Sequence, residues 1–206
     1  MSGIKKLKGR PNAEEQLAHQ EHLLSIAQEE FLANGYNATS IDALARKAGI
    51  SKLTVYRRFG SKEGLFLAVA DRVIDNTTQV QKVRVDGMSL EEGLLTYARA
   101  ILDAYLDPLC LAVVRLVVAE AVQFPDVAQR YHENTLRVLE GFAGYLDSMM
   151  QQGLLRPCDP ALAARDFTYM CIDGVSFLVI PPPPPGPARE ARCQHVVTTF
   201  LKGHHP

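Results

Sequence analysis

The sequence predicts an all-α protein of about nine helices, in which a small three-helix helix-turn-helix domain precedes a larger helical domain. Apolar residues recur at helical spacing through most of the 206 residues, and no sustained apolar–polar alternation predicts a strand. Glycines, prolines and capping residues separate the periodic segments. With 47% hydrophobic residues, the chain has enough apolar surface to form a core, which excludes a disordered protein.

The small domain begins with a helix that ends at Asn34-Gly35, a common C-terminal signal. The apolar stripe of this helix consists of Leu23, Leu24, Ala27 and Phe31. Two short helices follow over about residues 40–48 and 52–59, and a glycine stops each of them. Ser51 is expected to cap the second of these helices, and Ser61 a longer fourth helix.

Capping residues and prolines also delimit the helices of the larger domain. Ser89 and Glu92 have the spacing of a capping box, and so do Asp126 and Gln129. The proline run over residues 181–187 cannot be helical and is expected to form a stiff spacer, with simple helix termination as the alternative. The helices are predicted over about residues 89–106, 108–124, 126–152, 159–180 and 188–201.

The segment from Ile41 to Gly60 meets the steric requirements of a helix-turn-helix, in which two short helices cross at a tight turn. Ala45 is small at the crossing point, Gly49 tolerates a positive φ in the turn, and Val55 plugs the second helix into the core. Residues 41–62 contain six basic residues and one acidic residue, although the whole chain has a net charge of -1. This local excess indicates a polyanion partner, with a merely solvated charged surface as the alternative.

The same segment resembles the amino-terminal domain of the TetR/AcrR transcriptional regulators over about residues 20–70. The resemblance is carried by Phe31, Gly35-Tyr36, Thr39-Ser40-Ile41, Leu44-Ala45, Ala48-Gly49-Ile50-Ser51, Val55-Tyr56, Phe59, Ser61-Lys62-Glu63 and Leu65. Gln123-Phe124-Pro125-Asp126 and Gly153-Leu154-Leu155 resemble, more loosely, the AefR-type carboxy-terminal region. The resemblance implies a dimeric, usually repressing regulator that a ligand in the second domain releases from DNA.

On this basis we expect a flexible basic arm over residues 1–19, a DNA-binding domain over 20–66 and a ligand-binding and dimerisation domain over 67–206. The expected partners are a palindromic double-stranded DNA operator, a second copy of the chain and a small hydrophobic or aromatic effector. Because short recognition helices read few bases each, two copies would read two half-sites. A cytoplasmic location without a membrane partner is expected.

The exposed side of the second short helix is predicted to read bases, with Arg57 able to bind guanine through two hydrogen bonds. Tyr56 and Lys62 match positions that usually hold phosphates in the family, and hydroxyls or helix amides are expected to do so elsewhere. Arg10, between Gly9 and Pro11, resembles part of an AT-hook that enters a narrow minor groove, with a solubilising tail as the alternative. The remaining predicted DNA contacts are Thr39, Ser40, Ser51, Lys52, Leu53 and Thr54.

Apolar and aromatic residues of the second domain predict both a ligand cavity and a dimer surface. The candidate ligand-binding residues are Tyr97, Ile101, Tyr105, Arg115, Phe142, Tyr145, Met149, Phe167, Met170 and Cys171, although each is also suited to the core. Arg115 has the further alternative of pairing with Glu120 or another acid. The candidate dimer residues are Gly174, Val175, Phe177, Leu178, Val196, Val197, Phe200 and Leu201.

Enzymatic activity is not expected, because phosphate-binding glycine loops, nucleophile elbows and metalloprotease motifs are absent from the sequence. No cofactor or metal is expected, since His and Cys do not cluster at ligand spacing. Two alternatives remain at this point. One is a helical small-molecule or protein-binding module without specific DNA binding. The other is a thiol redox sensor that uses Cys110 and Cys171.

Overall fold

The computed structural model of the chain describes residues 13–76, 80–173, 176–180 and 184–206. All regular secondary structure in these ranges is helical, as the sequence predicts. The chain divides into two compact units, Met1–Val69 and Ala70–Pro206. None of the described helices has the length and apolar character needed to span a membrane.

The first unit contains α1 (Ala13–Ala38), α2 (Ile41–Lys47), α3 (Lys52–Phe59) and the first half of α4 (Lys62–Asn76). Helix α1 begins inside the segment predicted as a flexible arm. It is interrupted at Gly35, whose φ of 75° confirms the helix end predicted there. The rings of Phe31, Tyr36 and Phe66 form the core of this unit, with centroid distances of 5.3–5.9 Å.

Local capping fixes the two short helices and the start of α4. Gly49 has a φ of 65° in the turn between α2 and α3, as the helix-turn-helix geometry requires. The hydroxyl of Ser51 accepts a hydrogen bond from the backbone N–H of Thr54 at 3.1 Å, and the hydroxyl of Ser61 accepts one from Gly64 at 2.9 Å. Both predicted N-caps are therefore confirmed.

The described part of the second unit contains seven helices besides the end of α4. They are α5 (Leu90–Tyr105), α6 (Pro108–Glu120), α7 (Pro125–Val138), α8 (Glu140–Gln151), α9 (Pro160–Ile172), α10 (Ser176–Val179) and α11 (Pro187–Gly203). The capping box of Ser89 and Glu92 is present at the start of α5. Asp159 accepts hydrogen bonds from two backbone amides at the start of α9.

Two of the longer predicted helices are divided in the structure. The prediction of a capping box at Asp126 and Gln129 was wrong. Helix α7 begins before Asp126, with Pro125 at its first position, and no side chain caps it. The helix predicted to end near Gln152 is broken at Leu139, whose buried side chain lies where α7 ends and α8 begins. Helix α9 ends well before Ile180 because Asp173 adopts a left-handed conformation with φ 61°.

Aromatic rings cross the core of the second unit from α5 to α11. Phe142 contacts Tyr97 at a centroid distance of 4.3 Å and Phe167 at 5.1 Å, and Phe167 in turn contacts Phe200 at 5.1 Å. Such tilted and edge-to-face pairs stabilise the core by more than the burial of their apolar area alone. Phe200 therefore belongs to the core of its own chain rather than to an exposed surface.

Candidate nucleic-acid interface and ligand cavity

Helix α3 presents one buried and one exposed side. Val55 is fully buried, with 0% of its side chain exposed, whereas Leu53 is 76% exposed and Tyr56 40%. Arg57 is exposed on the same helix. The spacing of Leu53, Tyr56 and Arg57 places these three side chains together on the exposed side of α3, opposite Val55.

The cations around α3 are partly paired within the unit. Lys47 forms an ion pair with Glu30, and Lys52 forms one with Asp42 at 3.0 Å. The hydrogen bond to Asp42 raises the pKa of Lys52, which therefore stays charged. Arg46 and Arg57 are exposed beside these pairs. The positive potential of this surface therefore depends most on its arginines.

Lys62 is held in place at the start of α4. Its Nζ donates a hydrogen bond to the backbone carbonyl of Asn37 at 3.1 Å and lies 4.5 Å from the centroid of the Tyr36 ring. The cation–π contact and the hydrogen bond orient this ammonium group beside the break in α1. A preorganised cation of this kind suits a phosphate oxygen, because little side-chain entropy remains to be lost.

The predicted hydroxyl contacts have different surroundings. Ser40 is exposed at the N-cap of α2 without a side-chain capping bond. Thr39 is 4% exposed, and its hydroxyl donates to the carbonyls of Gly35 at 2.7 Å and Glu30 at 3.2 Å. Because this hydroxyl is buried and bonded within the unit, Thr39 is corrected from a phosphate contact to a structural residue.

Ser51 and Thr54 bind each other at the start of α3. Their hydroxyl oxygens are 2.8 Å apart, while the Ser51 hydroxyl also caps the helix. Both residues lie toward the surface of the unit.

Arg10 of the predicted minor-groove arm lies outside the described residues.

A cavity of about 350 Å³ opens between helices α5, α6, α7, α9 and α10 of the second unit. Valine, leucine and isoleucine form much of its wall, together with three tyrosines and one arginine. The volume lies within the range of small-molecule sites. The lining residues are Tyr105, Val114, Val118, Tyr131, His132, Thr135, Leu136, Leu139, Arg165, Thr168, Tyr169, Ile172 and Leu178.

Of the ten candidate ligand residues, Tyr105 lines this cavity. The others do not lie in its wall, because the α5, α8 and α9 faces that carry many of them pack into the core. The Nε of Arg115 donates to the Leu178 carbonyl at 2.7 Å, and among the described residues Arg115 forms no ion pair with Glu120. The residues placed elsewhere are Tyr97, Ile101, Phe142, Tyr145, Met149, Phe167, Met170 and Cys171.

The predicted dimer residues also need correction. Val196, Val197 and Phe200 are at most 2% exposed because this side of α11 packs against α5 and α9 in the same chain. Leu178 and Leu201 are partly exposed. Gly174, Val175 and the side chain of Phe177 lie outside the described residues.

The phenols of Tyr105 and Tyr131 are neutral at physiological pH. Burial raises the pKa of Tyr131 to about 12 and raises that of Tyr105 even further. Burial also raises the pKa of Cys110 to about 11 and shifts that of Cys171 in the same direction. Because the thiolate is the reactive form, this burial opposes the redox-sensor alternative.

A polar cleft of about 370 Å³ joins α4 to the other side of α7. Asp71 accepts hydrogen bonds from Asn134 at 2.6 Å and from Arg130 at 3.2 Å. Tyr131 and Thr135, the next residues along α7, line the apolar cavity. One helix therefore carries both the cavity wall and the contacts to α4.

Comparison with known proteins identifies the family. The profile described as the C-terminal domain of AefR-like transcriptional repressors matches residues 92–205, which is more than half of the chain. The chain belongs to the TetR family. The profile of bacterial regulatory proteins of the tetR family also matches residues 23–69. The resemblance inferred from the sequence is thus confirmed in both domains, and members of this family are regulators rather than enzymes.

Individual TetR-family proteins are similar over different extents. The HTH-type transcriptional repressor ComR of Escherichia coli K12 is 35% identical over 104 residues, which are 50% of this chain and 48% of ComR. The match therefore spans about half the length of that relative. A TetR-family regulator of known structure from Mesorhizobium loti is 28% identical, with a TM-score of 0.79 over 92% of this chain and 98% of that one.

The flavonoid-responsive regulator FrrA has the same fold. It is 28% identical, with a TM-score of 0.78, and the alignment covers 92% of this chain and 98% of FrrA. Regulators of the TetR family bind DNA operators and act as dimers.

Sequence reasoning missed two charged residues of these sites. Arg165 lines the cavity, and Asp71 joins α4 to α7. The spacing of Arg165, Tyr169 and Ile172 places all three on one side of α9, which was an available signal. For Asp71 no sequence signal existed, because its partners lie about sixty residues away.

Proposed function

We propose that the protein is a dimeric repressor that binds a palindromic operator through α3 and leaves it when a small aromatic molecule occupies the cavity. The observation that carries the DNA-binding half is the exposed side of α3, where Leu53 and Arg57 extend from a helix anchored by the buried Val55. A short helix presented in this way fits the major groove.

Within this proposal, Arg57 reads a guanine and Leu53 contacts a thymine methyl. Lys52, Thr54 and Tyr56 complete the contacts of α3. Phosphates are bound by the preorganised Lys62, by Ser40 and by the N-terminal amides of α3 beside Ser51, which together fix the register of the helix. These roles follow from exposure and chemistry.

The effector is proposed to be aromatic because three tyrosines line a cavity whose wall is mostly apolar. The similarity to FrrA, a flavonoid-responsive regulator, supports this class of ligand. Ligand binding releases the operator only if the ligand prefers a conformation with lower DNA affinity. Helix α7, which contacts both the cavity and α4, is the proposed element whose position distinguishes the two conformations.

Dimerisation is proposed to use the outer sides of α9 and α11, the last two long helices. Leu162 is 44% exposed on α9, and Leu201 is partly exposed on α11. We therefore place these two leucines in the expected dimer interface, in place of the residues on the buried side of α11. Analytical ultracentrifugation should give a dimer, and Leu162→Asp should weaken it.

Selection of bound fragments from a random DNA pool tests the proposal directly. The pool should yield a palindrome, and Arg57→Ala should lower operator affinity by about 1–3 kcal/mol and relax the preference at one base of each half-site. Arg156→Ala, an exposed arginine of the second unit, is the matched control and should bind as the wild type does. Failure to recover any preferred sequence would favour the alternative of a binding module without specific DNA recognition.

The N-terminal arm has a separate test. If Arg10 enters the minor groove, deletion of residues 1–11 should remove a preference for A·T pairs flanking the half-sites. Equal selection by the truncated and full-length chains would instead identify the arm as a solubilising tail.

A further inference from the structure

We infer that the cavity binds an aromatic monoanion whose carboxylate pairs with Arg165. The inference rests on the proposed function and specifies the chemical class of its effector. Its starting point is the charge of the cavity wall: among the described lining residues Arg165 is the one that is always charged, and none is Asp or Glu.

Arg165 forms no ion pair with any residue that the structure describes. It is half-buried on α9, and within the described part of the chain no carboxylate lies within ion-pair distance of its guanidinium. Its neighbour Asp166 is exposed outside the lining. A partly desolvated guanidinium beside apolar walls is stabilised when an anion binds it, because the charge is then both paired and hydrogen-bonded.

The polar groups of the wall supply both donors and acceptors. The hydroxyl of Thr168 donates to the Ala164 carbonyl at 2.8 Å, and the hydroxyl of Thr135 donates to the Tyr131 carbonyl at 2.9 Å. Because both threonine protons are used within their own helices, these hydroxyls can only accept from a ligand. The phenols of Tyr105 and Tyr131 remain protonated at neutral pH and can donate. Together with the guanidinium of Arg165 they give the wall the donors that a carboxylate requires, and His132 and Tyr169 complete the polar lining.

The remainder of the wall specifies an apolar, flat body for the ligand. Leu136, Leu139 and Ile172 contribute aliphatic surface, and the tyrosine rings contribute aromatic surface. A volume of about 350 Å³ is near the lower end of small-molecule sites, so a compact ligand of one to three rings fits better than a long lipid. The class that satisfies charge, donors and shape together is an aromatic carboxylate.

Calorimetric titration of the full-length protein with matched ligands tests this inference without DNA. The probes are 2-naphthoate, its neutral amide 2-naphthamide and the aliphatic acid decanoate. We expect 2-naphthoate to bind most tightly. Arg165→Gln should weaken 2-naphthoate at least about tenfold and leave 2-naphthamide nearly unchanged, because one charge-assisted contact is lost. Arg156→Gln, at an exposed site outside the lining, is the control.

The outcomes separate the inference from the proposed function. Tighter binding of decanoate, equal binding of acid and amide, absence of 2-naphthoate binding, or an Arg165→Gln variant that retains the preference for the acid would each overturn the inference. Circular dichroism of the variant checks that it is folded. Operator binding is measured in a separate mobility-shift assay. If the protein binds a palindromic operator but no aromatic acid, the proposed function as a DNA-binding regulator stands and only the inference fails. If it binds 2-naphthoate through Arg165 but recognises no operator, only the proposed DNA-binding function fails.

Discussion

Gly64 lies in the first turn of α4, directly beside the end of α3. A Cβ built at this position would be 2.0 Å from the backbone carbonyl oxygen of Phe59, whereas real Cβ atoms do not approach a neighbour within 3.0 Å. The two helices would have to separate by at least 1.0 Å to accept Gly64→Ala. Because the obstacle is backbone, a side-chain rotation cannot relieve the overlap.

The expected effect combines two opposing terms. Alanine is favoured over glycine in a helix by about 1 kcal/mol, and overpacking typically costs about 1–3 kcal/mol or more when backbone must move. We therefore expect Gly64→Ala to lower the free energy of unfolding of the first unit by about 1–2 kcal/mol. Operator affinity should also fall, because the displaced carbonyl belongs to the last residue of α3.

Urea unfolding followed by circular dichroism measures this effect, with Gly144→Ala as the matched control. Gly144 is an exposed glycine inside α8, and a Cβ there would meet nothing within 4 Å. Its replacement should therefore stabilise the protein by about 0.5–1 kcal/mol. If Gly64→Ala were as stable as the control variant and bound operator normally, the inferred contact between α3 and α4 would be refuted.

Three further predictions concern separate parts of the chain. Thr39→Val should lower the free energy of unfolding by about 1–2 kcal/mol because two carbonyls lose their donor, with Thr39→Ser nearly neutral in the same urea titration. Hydrogen bonds from Ser89 lower the pKa of Glu92, so their stabilisation is present above the pKa of the unfolded chain and lost as the pH falls through the folded pKa. The destabilisation caused by Ser89→Ala should accordingly shrink in acid, and an effect independent of pH from 7 down to about 3 would contradict this. Cys158 should react with a thiol reagent at once and the three buried cysteines slowly, and peroxide should leave operator binding intact, whereas peroxide-induced release would restore the redox-sensor alternative.

Local signals identified most helix ends correctly. Ser51, Ser61, Ser89 and Asp159 cap helices as their sequence context predicts, and the glycine at position 35 ends the regular part of α1. These signals work because a cap binds amides within three residues of itself, so the physics is contained in the sequence. Leu139 shows the limit, since neither glycine nor proline stands at the break between α7 and α8, where the structure places its buried side chain.

The candidate sites were predictable to different degrees. Leu53 and Arg57 could be assigned to an exposed surface because Val55 fixes which side of α3 is buried, and a single helix leaves only one opposite side. Thr39 could not be recognised as a buried hydroxyl, because its acceptors belong to the interrupted end of α1. A helix-turn-helix motif therefore predicts the exposed side of its recognition helix better than it predicts the roles of the neighbouring residues.

Spacing along single segments was enough to predict the helical class, the two-part organisation, the family and the exposed side of the recognition helix. It could not separate the aromatic residues that fill the core from those that surround a cavity. Phe142 and Tyr105 are both aromatic residues on apolar sides of their helices, yet Phe142 packs among other rings and Tyr105 lines the cavity with Arg165. That difference arises where five helices meet, and the position of each helix depends on packing against the others.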